Sequence, residues 1–219
     1  MEIVISDKIR KACPHIKLAI ITCQVKNSKT SSELWAEIEL EVQRIASTCL
    51  LEDINKRSAI AATRKIYKKL GKDPNRYRPS AEALCRRIVR HIPLYQVSTL
   101  VDIINLVSIH SGFSIGGFDT EKIQGNIQLD AGTESDEFVA IGRGILNVDG
   151  LPLYSDEVGG IGTPTSDHER TKITEETTQL LIIINGYEGT EGLKEAVEHT
   201  LQLLDKHAYL KKFEVKWTN

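Results

Sequence analysis

Hydrophobic residues recur at helical spacing through most of the first 112 residues. Leucine, isoleucine and valine lie three or four residues apart over residues 34–45, which is typical of an amphipathic helix. Thr30 and Glu33 form a capping-box pattern at its start. The same periodicity predicts three more helices, over residues 55–70, 80–90 and 99–111. We expect Gly71 and Gly112 to end the first and the last of these three.

After Gly112 the pattern changes to alternating or continuous apolar runs, which favour strands. The run "LLIIING" has no polar alternation and predicts a central strand covered on both faces. Asp149-Gly150 is the strongest hairpin signal. We expect strands at the following places: 2–6, 16–25, 126–132, 137–142, 145–155, 177–186 and, as an edge strand, 211–217. A helix over 191–208 precedes the last strand. These elements predict one α+β domain spanning residues 1–219.

Composition is ordinary for a globular protein, with 41% hydrophobic and 26% charged residues. No apolar run approaches the length of a membrane span, and the N-terminal segment does not resemble a secretory signal. The cysteines and histidines lack metal-ligand spacing, and the sequence has no GxSxG, Walker A, HExxH or Rossmann pattern. We therefore expect a cytoplasmic protein with reduced cysteines, no metal and no cofactor.

Charge is unevenly distributed, although the net charge is only -2. Residues 1–100 carry 19 basic and 10 acidic residues, whereas residues 101–219 carry 9 and 20. The imbalance is sharpest over 56–90, where 12 basic residues stand against Asp73 and Glu82. A local excess of positive charge favours a polyanionic partner.

The basic residues of this region interleave with Tyr67 and Tyr77, whose rings could stack on unpaired bases. One interpretation is an RNA-binding surface; the other is an ordinary solvated helical face. The candidate RNA contacts are Arg64, Lys65, Lys68, Lys69, Arg76, Arg86 and Arg87.

Two polar segments are further candidates. In "RYRPSAEA", Arg78 precedes a helix start and could bind a carboxylate or phosphate, or the segment could be a simple helix cap. In "TSDHERT", His168 lies among Asp167, Glu169 and Arg170, which forms either a site or a solvated loop.

The stretch 95–187 resembles the tRNA-binding and editing domain of the phenylalanyl-tRNA synthetase β subunit. That family carries V-V-D-I-T-N-Y, then G-Q-P-L-H-A-F-D, and later V-T-x-x-T-x-x-I-L-L-E. Here the corresponding stretches are "LVDIINL", "GFSIGGFD" and "ITEETTQLLI". Asp102, Asn105, Phe118, Asp119 and Thr177 match the family pattern.

The resemblance implies a layered sheet core with helices packed outside, and a pocket for the aminoacylated 3′ end of a tRNA. It implies tRNA or aminoacyl-tRNA as the partner, with neither DNA nor a membrane. In the synthetase this domain hydrolyses wrongly attached tyrosine. Adjacent glycines would admit a bulky ligand. The candidate substrate contacts are Arg78, Glu82, Asn105, Ser114, Gly116, Gly117 and Asp119.

Three polar positions of the family pocket hold other residues here, namely Gly116, Ile183 and Tyr95. Three functions therefore remain open, one of which, a protein-contact surface on the same fold, the sequence neither supports nor excludes. The domain could hydrolyse mischarged tRNA, with Glu82 or Asp167 as general base. Alternatively, it could bind tRNA or an amino acid without catalysis, with Arg78 and Glu82 holding the two charged ends of the amino acid.

Overall fold

The computed structural model describes residues 3–189 and 191–218. Within these residues the α-helices are α1 (Asp7–Ala12), α2 (Ser32–Thr48), α3 (Ser58–Lys69), α4 (Ser80–Val89), α5 (Thr99–Ser111) and α6 (Leu193–Ala208). Short 3-10 helices cover Ile54–Lys56, Thr120–Lys122 and Glu169–Thr171. None of the described helices is long and apolar enough to cross a bilayer.

The strands in the same part of the chain are β1 (Ile3–Ile5), β2 (Lys17–Gln24), β3 (Ile115–Asp119), β4 (Ile127–Ala131), β5 (Val139–Ala140), β6 (Gly144–Ile145), β7 (Pro152–Ser155), β8 (Gly160–Gly162), β9 (Gln179–Gly186) and β10 (Lys211–Trp217). They form an antiparallel sheet of order β10-β2-β9-β3 and a mixed sheet of order β1-β4-β7-β8. Strands β5 and β6 form a separate small pair.

Strand β9 connects two hydrophobic cores. Leu180, Ile182 and Ile184 pack with the buried faces of α2, α4, α5 and α6. Leu181 and Ile183 point to the opposite face and pack with residues of the second sheet and of α3. Since alternate residues of a strand face opposite sides, one apolar run serves both cores. The predicted central strand and the α+β class, with a layered sheet core and helices outside, are confirmed.

The predicted helix stops are also confirmed. Gly112 follows α5 with φ 86° and its N–H donates to the Ser108 carbonyl. Gly71 follows α3 with φ 87°. This left-handed conformation is common just after a helix and suits glycine, which has no Cβ to clash. The edge position of β10 is confirmed as well.

The predicted cap of α2 is wrong by one residue. Ser31, not Thr30, is the N-cap, and its hydroxyl accepts from the Leu34 N–H at 3.2 Å. Thr30 instead donates to Asp102 on α5. A tertiary contact has taken the hydroxyl group that the local pattern assigns to the cap. The short helix α1 was not predicted.

The predicted hairpin at Asp149-Gly150 is also wrong. A turn is present, with φ 71° at Gly150, but the strands beside it lie in different sheets. The Gly150 N–H donates to the Gly132 carbonyl at 3.0 Å. The turn therefore passes the chain from the β5–β6 pair to the second sheet.

The ring of Phe118 lies in a gap between the two sheets that two glycines leave open. A Cβ on Gly116 of β3 would lie 2.7 Å from Phe118 Cζ, and one on Gly162 of β8 would lie 2.6 Å from it. Phe118 is fully buried. The close approach of the ring therefore requires that these two positions have no side chain.

We predict that Gly116→Ala lowers the free energy of unfolding by about 1–3 kcal/mol, because the added methyl group overpacks the Phe118 ring. In a Phe118→Leu background the same substitution should cost clearly less, since the shorter side chain lacks Cζ. Urea unfolding of the four proteins of this double-mutant cycle measures the difference. Equal cost in the two backgrounds would contradict the contact.

Candidate functional site

A cavity of about 450 Å³ lies between α5, β3 and the segment 163–173. Its apolar lining residues are Val97, Val101, Ile104, Ile115, Ile141 and Ile173. Gly117 and a set of polar residues complete it: Ser80, Asn105, Ser108, Thr163, Thr165, Ser166, Asp167 and Lys172. This volume and mixture are typical of a pocket for a small ligand or for one part of a larger ligand.

Helix α5 forms one wall because of its residue spacing. Val101, Ile104, Asn105 and Ser108 are spaced i, i+3, i+4 and i+7, so they share one helical face. Of these four, Ser108 donates to the Phe113 carbonyl at 2.7 Å and is thus already engaged. The Asn105 amide has no hydrogen-bond partner among residues 3–189 and 191–218, so it is free to bind a ligand.

Asp167 enters the cavity wall through space left by glycines. The Gly117 N–H donates to Asp167 Oδ2 at 3.2 Å. A Cβ on Gly162 would lie 2.8 Å from Asp167 Oδ1, and one on Gly116 would lie 3.5 Å from it. A tight turn positions the aspartate, since the Thr163 N–H donates to the Ser166 carbonyl at 2.9 Å.

The Asp167 carboxyl group has a perturbed pKa. Burial raises this pKa to about 7, and the hydrogen bond from the Gly117 N–H opposes the shift only in part. No cation among the described residues forms an ion pair with it. Lys172, which also lines the cavity, pairs with Glu169 instead, with 2.5 Å between Lys172 Nζ and Glu169 Oε2. At neutral pH the group therefore populates both protonation states, which suits a general acid or base.

Two of the predicted substrate contacts, Asn105 and Gly117, line this cavity. Gly116 faces the Phe118 ring on the other side of β3. The Ser114 carbonyl accepts from the Asn185 amide at 2.7 Å, and its hydroxyl is buried with no partner in the described chain. Ser114 and Gly116 are sequence neighbours of the lining residues Ile115 and Gly117, but they do not line the cavity themselves.

The acidic residues that match the family pattern hold the scaffold. Asp119 accepts from the Thr177 hydroxyl at 2.8 Å. Asp102 accepts from the Thr30 hydroxyl and from the Val97 N–H. Burial raises the pKa of Asp102, against these hydrogen bonds. Both carboxylates fix loops to the elements around the cavity.

Glu82 is 1% exposed and is held in an ion pair within the protein. Its Oε2 lies 2.8 Å from Arg64 Nη1, and its Oε1 lies 3.8 Å from Arg86 Nη1. Arg78 is exposed and lines a different hollow. Neither Glu82 nor Arg78 is among the described residues that line the cavity.

The predicted basic surface divides into two groups. Arg64 pairs with Glu82, Lys65 with Glu188 at 2.6 Å, and Lys69 donates to the Ala12 carbonyl. Lys68 is exposed on the same helix. The second group, Arg76, Arg86 and Arg87, lines a hollow together with Arg78, Arg90 and Arg143.

The two tyrosines of this region do not offer free rings. Tyr67 is fully buried and its hydroxyl lies 2.9 Å from that of Thr165, so its ring cannot stack on a base. Tyr77 lies under the Lys72 ammonium, which is 3.9 Å from the ring centre.

The "TSDHERT" segment combines both interpretations. Asp167 faces the cavity, whereas His168 accepts from the Arg170 N–H and packs edge-on against Phe138. Burial lowers the pKa of His168. Arg170 pairs with Asp156 at 2.7 Å. The first three residues of the segment, Thr165, Ser166 and Asp167, thus line the cavity, and His168 and Arg170 hold the loop in place.

Several cavity residues were not predicted, among them Val101, Ile104 and the threonines of the 163–165 turn. The sequence did carry a signal for the α5 residues, because Val101, Ile104, Asn105 and Ser108 follow the helical spacing i, i+3, i+4 and i+7. The threonines had no such signal because their position depends on how β8 pairs with β7.

The comparison with family models agrees with the predicted resemblance. The family model of the B3/4 domain, of the phenylalanyl-tRNA synthetase β type, matches residues 62–215. The chain is similar to a crystal structure of an N-terminal fragment of the phenylalanyl-tRNA synthetase β subunit from Pyrococcus horikoshii, with 16% identity and a TM-score of 0.49. That similarity covers 99% of this chain and 54% of the fragment, so the chain spans about half of the fragment. A comparison with curated proteins finds no match.

We predict that Asp167→Asn stabilises the protein above pH 7 and has little effect near pH 4. Between pH 4 and 7 the folded state keeps a proton that the unfolded state has released, so stability of the natural protein falls as pH rises. Allowing for solvent screening, the gain is about 2 kcal/mol, or about 4–8 °C in Tm.

Thermal unfolding at pH 4, 5.5 and 8 measures this difference. Asp205→Asn, at an exposed position of α6, is the matched control and should change Tm equally at all three values. A pH-independent difference between the Asp167 variant and the natural protein would contradict a raised pKa.

Proposed function

Because the chain belongs to the B3/4 domain family, we propose that it binds the aminoacylated 3′ end of a tRNA and hydrolyses the ester of a mischarged amino acid. The observation that carries this proposal is the Asp167 carboxyl group, with a pKa of about 7, in the wall of a cavity of about 450 Å³. Hydrolysis at a second site is a physically sound way to separate amino acids that binding alone distinguishes poorly.

The cavity suits an amino acid with an apolar or aromatic side chain. Val101 and Ile104 of α5 and Ile173 of the segment 163–173 offer apolar contacts in its lining. Burial of such a side chain contributes favourably to binding, roughly in proportion to the apolar area removed from water. Asn105 and Ser80, whose side-chain polar groups have no partner among the described residues, provide hydrogen bonds for the amino group or the ribose.

In the proposed reaction, Asp167 acts as general base toward a water molecule. The carboxylate accepts a proton from water while the water oxygen attacks the ester carbonyl carbon. The bond between this carbon and the ribose oxygen then breaks, and Asp167 returns the proton to the ribose oxygen. The products are the free amino acid and a tRNA with an intact terminal hydroxyl group.

The base in this proposal comes from a position other than the family's polar pocket residues. Gly116 packs against Phe118, and Ile183 is fully buried on β9 in the second core. Neither position can supply a proton acceptor. A binding module without catalysis is therefore the second candidate, and these two apolar positions favour it.

We predict that the purified protein releases tyrosine from tyrosylated tRNA(Phe) faster than buffer does. Asp167→Asn should lower kcat by about 10²–10⁴-fold with a small change in KM, because it removes the proton acceptor and keeps the shape of the side chain. The rate of the natural protein should rise with pH through about 7 and then level off, as the carboxylate form becomes complete.

The control is Asp205→Asn, which should leave the rate unchanged. If no ester is hydrolysed above the buffer rate, the hydrolytic function is rejected. Protection of the ester from spontaneous hydrolysis in that same assay would support the binding module instead.

A further inference from the structure

A groove of about 260 Å³ lies beside α4 and is lined almost entirely by arginines. They are Arg76, Arg78, Arg86, Arg87, Arg90 and Arg143. The other two lining residues are Ala83 and Ile92, so no carboxylate among the described residues lines the groove.

These positive charges are largely uncompensated within the protein. Of the six, only Arg86 has a described carboxylate within 4 Å, at 3.8 Å from Glu82, and Glu82 is already paired with Arg64. The Arg86 Nε is buried and has no hydrogen-bond partner in the described part of the chain. A planar guanidinium matches phosphate oxygens geometrically, and several together favour a ligand with more than one negative charge.

The groove and the cavity are next to each other along two segments. Ser80 lines the cavity and Arg78 the groove, and Ile141 lines the cavity and Arg143 the groove. Two residues along a chain span at most about 7 Å. One continuous ligand can therefore occupy both hollows.

An exposed aromatic ring lies at the same place. Tyr95 is 71% exposed, and the Arg87 guanidinium lies 4.2 Å from the centre of its ring. An ordered ring beside a basic groove is the usual arrangement for a single-stranded nucleic acid, whose bases stack while its phosphates follow the positive charge. This pairing favours an RNA strand over an acidic protein segment, which would gain nothing from a stacking platform.

We infer that this arginine groove binds the phosphodiester groups of the last nucleotides of the RNA whose 3′ end lies in the cavity. The inference rests on the proposed function, since it places the terminal ribose at the mouth of the cavity. It assigns a role to Arg90 and to Arg143, which comes from the acidic half of the chain. The cavity then recognises the aminoacyl group, and the groove recognises the strand that carries it.

The test measures, by fluorescence anisotropy, the binding of a fluorescein-labelled single-stranded RNA of eight nucleotides that ends in CCA and carries no amino acid. A second RNA carries neutral methylphosphonates at its last two linkages. The natural protein should bind the second RNA about 10-fold more weakly. Arg78→Gln/Arg143→Gln should bind the first RNA about 10-fold more weakly and show no further loss on the second.

The salt dependence gives a second readout. The slope of log K against log salt should become shallower by about 1–1.5 in the double variant, because two phosphate contacts are lost. Lys8→Gln/Lys11→Gln, which changes the net charge equally at exposed positions of α1, should keep both the affinity and the slope. A natural protein that binds the two RNAs equally, or a control that loses as much affinity as the groove variant, would overturn the inference.

These results are independent of ester hydrolysis, since the probe carries no amino acid. Hydrolysis with equal binding of the two RNAs rejects the groove and leaves the proposed reaction intact. If hydrolysis is absent but the methylphosphonate RNA binds more weakly as expected, the reaction is rejected and the groove is supported. Inorganic pyrophosphate is also added as a competitor of the labelled RNA. If it displaces this RNA at a concentration as low as that at which unlabelled RNA does, the ligand of the groove is a free phosphate compound and the RNA strand is rejected.

Discussion

The Asp167 carboxyl group occupies a notch formed by glycines that three different packing needs keep free of side chains. A Cβ on Gly117 would collide with Ile104 Cδ1, Gly162 leaves room for Asp167 Oδ1, and Gly116 leaves room for the Phe118 ring beside it. The Gly117 N–H donates to the Asp167 carboxylate. Side chains here would push the aspartate into the cavity or the ring out of the core. Among the described residues that line the cavity, Asp167 is the one whose carboxyl group has a perturbed pKa. The space between the two sheets thus determines where this group lies.

The residues that match the family pattern and the residues of the cavity have different roles. Asp119 and Asp102 bind hydroxyl groups of Thr177 and Thr30 and fasten loops to β3 and α5. This scaffold can be kept while the polar groups of the pocket are exchanged. Asp167 offers titratable chemistry at a position that the family pattern does not identify, and the neighbouring arginines offer charge for an attached strand.

The sequence predicted those features that depend on local periodicity. It identified α5 with its stop at Gly112 and the doubly covered strand β9, because both follow from the spacing of apolar residues. It could not place Asp167 against Gly117, since 50 residues separate them and their contact depends on the packing of two sheets. Arg143 was missed for the same reason: its own neighbourhood in sequence is acidic, and only the fold brings it to α4.

The most direct test is an NMR titration of the Asp167 side-chain carboxyl carbon, assigned by the loss of its signal in Asp167→Asn. The glycine notch and its low polarity predict a midpoint at about pH 7. A midpoint near pH 4, the usual value for an aspartate, would show that water reaches the carboxylate freely, and it would contradict both the notch as described and the general base that depends on it.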